Sequence, residues 1–193
     1  MDTTKADPRI TKTKAAIRSA FLKLLAQKGF PKLTVKDIIQ EAQINRSTFY
    51  AHYTDKYDLL NCVEQELLDN LNTAELSDGL IKNDGSQTIL ESVLSSRARL
   101  LKDNGQLFAL LMSENGDPAF ADKLGESIYR IWTSSDLRGR FVLPDNYAMA
   151  ALIGILSGIL NEWVRGGFKE TPDELASIVV SLIAPLPKQL VSL

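Results

Sequence analysis

The sequence predicts an all-α fold of about nine helices organised around a short helix-turn-helix near the N-terminus. Two observations carry this prediction. Apolar residues recur at three- and four-residue spacing in almost every segment, as they do in helices with one buried stripe. Between residues 34 and 56 (TVKDIIQEAQINRSTFYAHYTDK) two short segments of this kind flank a three-residue break, Gln43-Ile44-Asn45.

The composition bounds the reading. At 193 residues the chain can bury a full core as one or two domains. Its 45% hydrophobic and 24% charged residues are ordinary for a globular protein. No apolar run reaches the ~18 residues of a membrane span. The opening MDTTKADPRITKTK lacks the apolar centre of a signal peptide, so a cytoplasmic location without membrane contact is expected. A single cysteine, Cys62, excludes an internal disulfide, and one His beside one Cys makes no zinc set, so no metal or cofactor is expected. Charge is divided unevenly. Residues 1–60 hold 11 Lys/Arg against 6 Asp/Glu, and the remainder 11 against 18. Such asymmetry suits a polyanion on the first third alone, although five excess charges on sixty residues is also a common surface.

Taken in order, residues 1–8 are polar and aperiodic and form an arm. A helix is predicted over 10–28, with Ile17, Phe21, Leu24 and Leu25 inward. Lys12, Lys14, Arg18 and Lys23 lie largely elsewhere. Gly29 ends it in a left-handed cap and Pro31 prevents its continuation. Thr34 then caps a short helix whose Val35, Ile38, Ile39 and Ala42 make one stripe. Asn45 tolerates the unusual backbone angles of a turn, and Ser47 can serve as a further cap. The next helix, over 46–53, points Phe49 and Tyr53 inward and carries Arg46, Thr48, Tyr50 and His52 on the other face, with Ser47 at its start. That face holds donors and no carboxylate, which suits phosphates and base edges.

Asp55 caps a helix over 56–71, in which Cys62 is expected to be a buried or half-buried hydrophobe. A border falls near residue 72, in a stretch with two glycines and weak periodicity. Further helices follow over 87–102, 106–112 and 119–133, then a loop over 136–144. The helix over 146–165 is the most apolar, and Gly154, Ser157 and Gly158 leave part of its surface thin. A capping box, Thr171 with Glu174, opens a last helix from Pro172 to about residue 184. The two terminal helices carry more apolar surface than one chain covers. A homodimer is therefore expected, with Ala151, Gly154, Ile155, Gly158, Ile159, Leu175, Ile178, Val179 and Leu182 at its interface. The competing reading is that both faces are covered within the monomer.

The stretch LTVKDIIQEAQINRSTFYAHYTDKYDLL, with ITKTKAAIRSAFLKLLAQKGF upstream, resembles the DNA-binding domain of the TetR family of transcriptional regulators. The carriers are a long helix ending in Gly-Phe, a capped short helix, Ser-Thr-Phe-Tyr, an aromatic pair, then Asp-Lys and an apolar helix. The likeness covers about residues 9–70. It implies a flexible arm over 1–8, a three-helix helix-turn-helix domain over 9–72, and a helical domain over 73–193 that binds an effector and dimerises. The implied function is a sequence-specific, ligand-responsive repressor acting as a homodimer on a palindromic double-stranded operator.

The implied DNA contacts are Thr34, Lys36, Arg46, Ser47, Thr48, Tyr50, His52 and Lys56. Arg46 and Thr48 would face base edges. Ser47, Tyr50, His52 and Lys56, with Thr34, would grip phosphates. Thr34 equally fits a cap alone, and Lys12 and Lys14 fit either a phosphate or a solvated face. Phe108, Met112, Tyr129, Trp132 and Met149 are expected either to line an effector pocket or to be ordinary core. NEWVRGGFKETPDEL also resembles the C-terminal region of a branch that includes activator-like regulators of dihydroxyacetone kinase operons. This keeps an alternative open: an activator or coregulator whose C-terminal domain binds a partner protein and no small molecule. An enzyme is not expected, since the sequence holds no Gly-rich phosphate loop, no metal set and no nucleophile–base pair.

Overall fold

The computed structural model describes residues 7–73, 86–133 and 144–183. These residues form α1 (Pro8–Lys32), α2 (Val35–Glu41), α3 (Arg46–Tyr50), α4 (Lys56–Thr73), α5 (Ser86–Asp103), α6 (Gly105–Leu111), α7 (Phe120–Thr133), α8 (Asp145–Arg165) and α9 (Pro172–Ile183), and no strand. Most of the expected arm, the border stretch over 74–85, the loop over 136–143 and residue 184 lie outside the described residues. The chain divides into two compact units. Met1–Glu66 with Ser113–Asp117 makes the first, and Leu67–Met112 with Pro118–Leu193 the second.

In the first unit the periodic stripe of α1 is buried as its spacing requires. Ile17, Phe21 and Leu25 are sealed from solvent beside Leu33, Ile38, Phe49 and Leu59. Helical geometry breaks at Gly29, with φ 73° and ψ 159°. The positive φ expected of a cap is present, but ψ is extended, which places the residue in a region open essentially to glycine alone. The break turns the Phe30 N–H onto the Asn115 carbonyl at 2.9 Å. A Cβ on Gly29 would stand 3.1 Å from Asn115 Oδ1, so any other residue would also push the Asn115 side chain aside.

The turn between α2 and α3 departs from expectation. The left-handed residue is Gln43, at φ 53°. Asn45 keeps ordinary extended angles and is the N-cap of α3, its side chain accepting from Thr48 N. Ser47 does not cap. An asparagine in the β region can bring its amide oxygen back over the first turn, whereas Ser47 already lies inside the helix.

In the second unit α5 and α9 pack along their length, and α8 packs on α6, α7 and α9. Met149, Leu152, Leu156, Val179 and Ile183 form a cluster, with Leu94, Ile128 and Ile159 packed against it. Gly125 lets α7 approach α8 closely, since a Cβ there would lie 3.1 Å from Ile153 Cγ2. The α8–α9 turn is closed on itself. Phe168, at φ 58°, stacks edge-on against Trp163 at 4.9 Å. Trp163 Nε1 donates to Glu170 O at 3.0 Å, and Lys102 Nζ to Phe168 O and Glu170 O at 2.9 and 3.2 Å. The Thr171–Glu174 capping box forms as expected, with Glu174 N donating to Thr171 Oγ1 and Thr171 N to Glu174 Oε2. Its backbone bond holds the Glu174 carboxyl below its ordinary range.

Residues Asn146–Arg165 are long and apolar enough to cross a membrane by length and composition. Polar residues, Ser157, Asn161 and Glu162 among them, interrupt its apolar run. Ala148, Met149, Leu152, Leu156 and Trp163 of this helix are buried in the second unit.

Candidate nucleic-acid interface

The outward surface around α3 is held from below by one aromatic cluster. Phe49 is fully buried and meets Tyr53 at 5.8 Å and, edge-on, Tyr50 at 5.5 Å. α3 is shorter than its sequence suggests. The N–H groups of His52 and Tyr53 both reach Phe49 O at 3.0 Å, so the chain tightens and leaves the helix after Tyr50. His52 therefore lies beyond the helix, half-buried, in a groove shared with Lys14, Arg18, Tyr53, Cys62 and Glu66.

The other expected contacts are distributed as follows. Arg46 is exposed at the first position of α3, and its guanidinium lies over the Tyr50 ring at 5.5 Å. That stacking narrows the directions in which Arg46 can project. Tyr50 is 45% exposed. Lys36 is exposed on α2, Ser47 is exposed and Thr48 is half-buried. Asn45, expected only to shape the turn, organises both hydroxyls. Ser47 Oγ and Thr48 Oγ1 each donate to Asn45 Oδ1 at 2.7 Å. The signal was the side-chain oxygen three residues ahead of Thr48, the same spacing that betrays a cap.

Two expected phosphate contacts are already committed elsewhere. Thr34 Oγ1 donates to Asp37 Oδ2 at 2.7 Å and accepts from Asp37 N at 3.2 Å. The Thr34 hydroxyl and Lys28, whose Nζ is 3.0 Å from Asp37 Oδ2, hold the Asp37 carboxyl below its usual range. The start of α2 thus carries its own anion, which disfavours a phosphate there, and Thr34 acts as a cap. Lys56 has a similar fate. Its Nζ donates to Phe30 O, Pro31 O and Leu33 O at 3.0, 3.3 and 2.9 Å. It also sits 4.6 Å from the Phe30 ring centre and 5.3 Å from that of Tyr57. An ammonium has three protons, and here all three bond to carbonyls at the end of α1. The Gly29 break presents those carbonyls, and a linear reading does not show them. Replacing Lys56 with alanine is accordingly expected to lower stability by about 1–3 kcal/mol in a denaturant melt. The slope of DNA affinity against salt should stay unchanged, where loss of a phosphate contact would flatten it by about one ion.

Two further cations of the first unit are neutralised at short range: Arg18 by Glu66, and Lys23 by Glu41 at 2.6 Å. Cys62 is exposed, contrary to the expected burial. Its thiol is pushed above its ordinary range by partial desolvation and by Asp58, so it stays protonated.

The second unit's expected sites are revised. Phe108 is fully buried against Phe120 at 6.1 Å, Met149 belongs to the α8–α9 core cluster, and Tyr129 is 45% exposed. Met112 is half-buried, just past the end of α6. The side chain of Trp132 lies outside the described residues. Phe108 and Met149 are thus packing residues, because an aromatic or Met at helical spacing serves a core as readily as a pocket. Leu175 and Val179 are likewise spent inside the unit, at 4% and 5% exposure, so they leave the expected interface. The remaining interface candidates are different. Ala151, Gly154 and Gly158 are exposed, Ile155 and Ile159 half-buried, and Ile178 and Leu182 exposed. A Cβ added to Gly154 or Gly158 would meet nothing within 4 Å. Tyr147, not anticipated, extends the exposed apolar row of α8 at 66%.

Residues 17–63 match the family described as bacterial regulatory proteins, tetR family. Residues 90–185 match a family described as a transcriptional regulator C-terminal region. The uncharacterized HTH-type transcriptional regulator YxbF of Bacillus subtilis (strain 168) is 31% identical over 180 residues, an alignment covering 88% of this chain and 44% of that protein. The chain therefore spans less than half the length of that relative. The crystal structure of a TetR transcriptional regulator from Streptococcus agalactiae 2603V superposes with a TM-score of 0.65 at 24% identity, over 91% of this chain and 95% of the other. The dihydroxyacetone kinase operon activator DhaS superposes with a TM-score of 0.60 at 20% identity, over 92% and 97%. At these identities the two structures bear on fold alone.

Proposed function

We propose, from the premise that this chain belongs to the TetR family of bacterial regulatory proteins, that it is a DNA-binding transcriptional regulator which acts as a homodimer on a palindromic operator. The observation that carries this reading is the surface at α3. Arg46, Ser47 and Tyr50 are outward, no carboxylate shares the helix, and Phe49 anchors it from beneath. Arg46 faces a guanine edge, its fork matching O6 and N7. Tyr50, His52 and Lys36 contact the backbone, which fixes register. The second copy covers the exposed rows of α8 (Tyr147, Ala151, Gly154, Gly158) and α9 (Ile178, Leu182), bringing two copies of α3 to successive turns of one duplex.

Repression relieved by an effector remains our reading of the output. An effector would act by shifting the population between two spacings of the recognition helices. The rival output, an activator whose second unit docks a partner protein, gains support from the packed state of Phe108 and Met149. A small molecule that changes operator affinity would favour the first, and a stoichiometric protein complex with unchanged affinity the second. The direct test of DNA recognition is Arg46→Ala against a duplex selected by the unmodified chain. Affinity should fall by about 1–3 kcal/mol on the selected sequence and far less on random duplex. Equal affinity for the selected sequence would remove Arg46 from the interface.

A further inference from the structure

We infer that Ser113–Asp117 is a positioning strap of the DNA-binding unit: seated on Phe30, it holds the end of α1 in the shape that receives Lys56, and duplex affinity depends on its being seated. The inference rests on the reading above that α3 meets DNA. The chain enters the first unit twice. It leaves after Glu66, comes back for Ser113–Asp117 alone, and rejoins the second unit at Pro118. These five residues make a turn closed on itself. Asn115 N donates to Ser113 Oγ at 3.2 Å and Gly116 N to Ser113 O at 2.9 Å. From this turn the Asn115 carbonyl accepts the Phe30 N–H at 2.9 Å.

Phe30 is where the strap acts. It follows the break at Gly29, is 7% exposed, and has every part engaged. Its N–H meets the strap, and its carbonyl accepts from Lys56 Nζ at 3.0 Å. Its ring stands edge-on to Phe21 at 6.4 Å and to Tyr57 at 5.2 Å. Lys56 and Tyr57 open α4, and only residues 51–55 separate them from α3. One residue thus ties the strap to the base of α3. A backbone donor at so buried a position is costly to leave without its acceptor. Lifting the strap would therefore loosen the carbonyls around Lys56, and with them the placement of α3. Both ends of the strap are rooted in the second unit, where Leu111 and Phe120 are buried and Phe120 meets Phe108 of α6 edge-on at 6.1 Å. Whatever repacks α6 against α7 shifts Asn115, which gives the second unit a way to change duplex affinity without touching DNA.

Amide hydrogen exchange at Phe30, followed by NMR in the full chain, reads the seat directly. Coupling is reciprocal: if a seated strap favours duplex, duplex must favour seating. Adding a duplex selected from a randomised pool should slow Phe30 exchange in the unmodified chain roughly five- to thirty-fold. The double variant Ser113→Gly, Asn115→Gly keeps the chain length and removes the brace of the turn. In it Phe30 should exchange faster, and affinity for the selected duplex should fall by a similar factor. The slope of affinity against salt should hold, since no phosphate contact is lost, and exchange across α5, α8 and α9 should not change. A strap that only stabilises the first unit would quicken Phe30 exchange and leave affinity within about twofold, well short of a typical coupling. That result, or Phe30 exchange indifferent to duplex in the unmodified chain, overturns the inference and leaves DNA recognition standing. If no duplex is selected at all, the underlying reading falls together with it.

Discussion

Replacing Phe49 with alanine should abolish duplex binding and unfold the first unit while leaving the second intact. Phe49 is completely buried beneath α3 and touches both Tyr50 and Tyr53, so its ring supports the surface that carries Arg46. Truncating a buried Phe costs about 3–5 kcal/mol through lost transfer energy and the cavity left behind. That is a large share of the stability of a domain of this size. Hydrogen exchange followed along the chain reads the effect locally: protection should collapse across α1 to α3 and persist across α5, α8 and α9. Phe49→Leu retains most of the volume and should restore much of the protection and part of the binding. Unchanged protection in Phe49→Ala would mean that α3 is held by something other than this ring.

The second large effect is expected at the opposite end of the chain. Trp163 is 2% exposed, and it joins α8 to the α8–α9 turn through its ring, set against Phe168, and through Nε1, bonded to Glu170 O. Trp163→Ala removes both, at about 3–5 kcal/mol. For a chain of this length each kcal/mol moves the melting temperature by about 2–4 °C, so a fall of roughly 6–20 °C is expected. The same turn sets the start of α9, which presents Ile178 and Leu182. The variant should therefore also weaken self-association in sedimentation velocity. A lowered melting temperature with undiminished self-association would place the dimer surface elsewhere than α9.

The helices themselves were legible because burial imposes a three- and four-residue spacing, and α1, α2 and α4 to α9 follow it. The Thr171–Glu174 box was legible for a related reason: a cap is a contact over three residues, and its partners are adjacent in the sequence. What sequence reading missed depends on contacts across long separations or on a choice between two faces. Lys56 reads as an exposed cation until the break at Gly29 delivers three carbonyls to it from about 25 residues away. Leu175 and Val179 share α9 with Ile178 and Leu182, and in a helix apolar on two sides the spacing does not say which side faces inward. The end of α3 was misjudged because Phe49 O takes two N–H groups, a local tightening that leaves no mark in the pattern. Asn45 reads as a tolerant turn residue, whereas its side-chain oxygen caps α3.

Presentation of α3 twice to one face of a double helix is measured most directly by hydroxyl-radical footprinting on a selected duplex. Two patches of protected sugar–phosphate on the same face, about one helical turn apart and related by a dyad, are the predicted result, with both patches weakened together in Arg46→Ala at the concentration that just saturates the unmodified chain. A single patch, patches on opposite faces, or protection undiminished in Arg46→Ala at that concentration would contradict it.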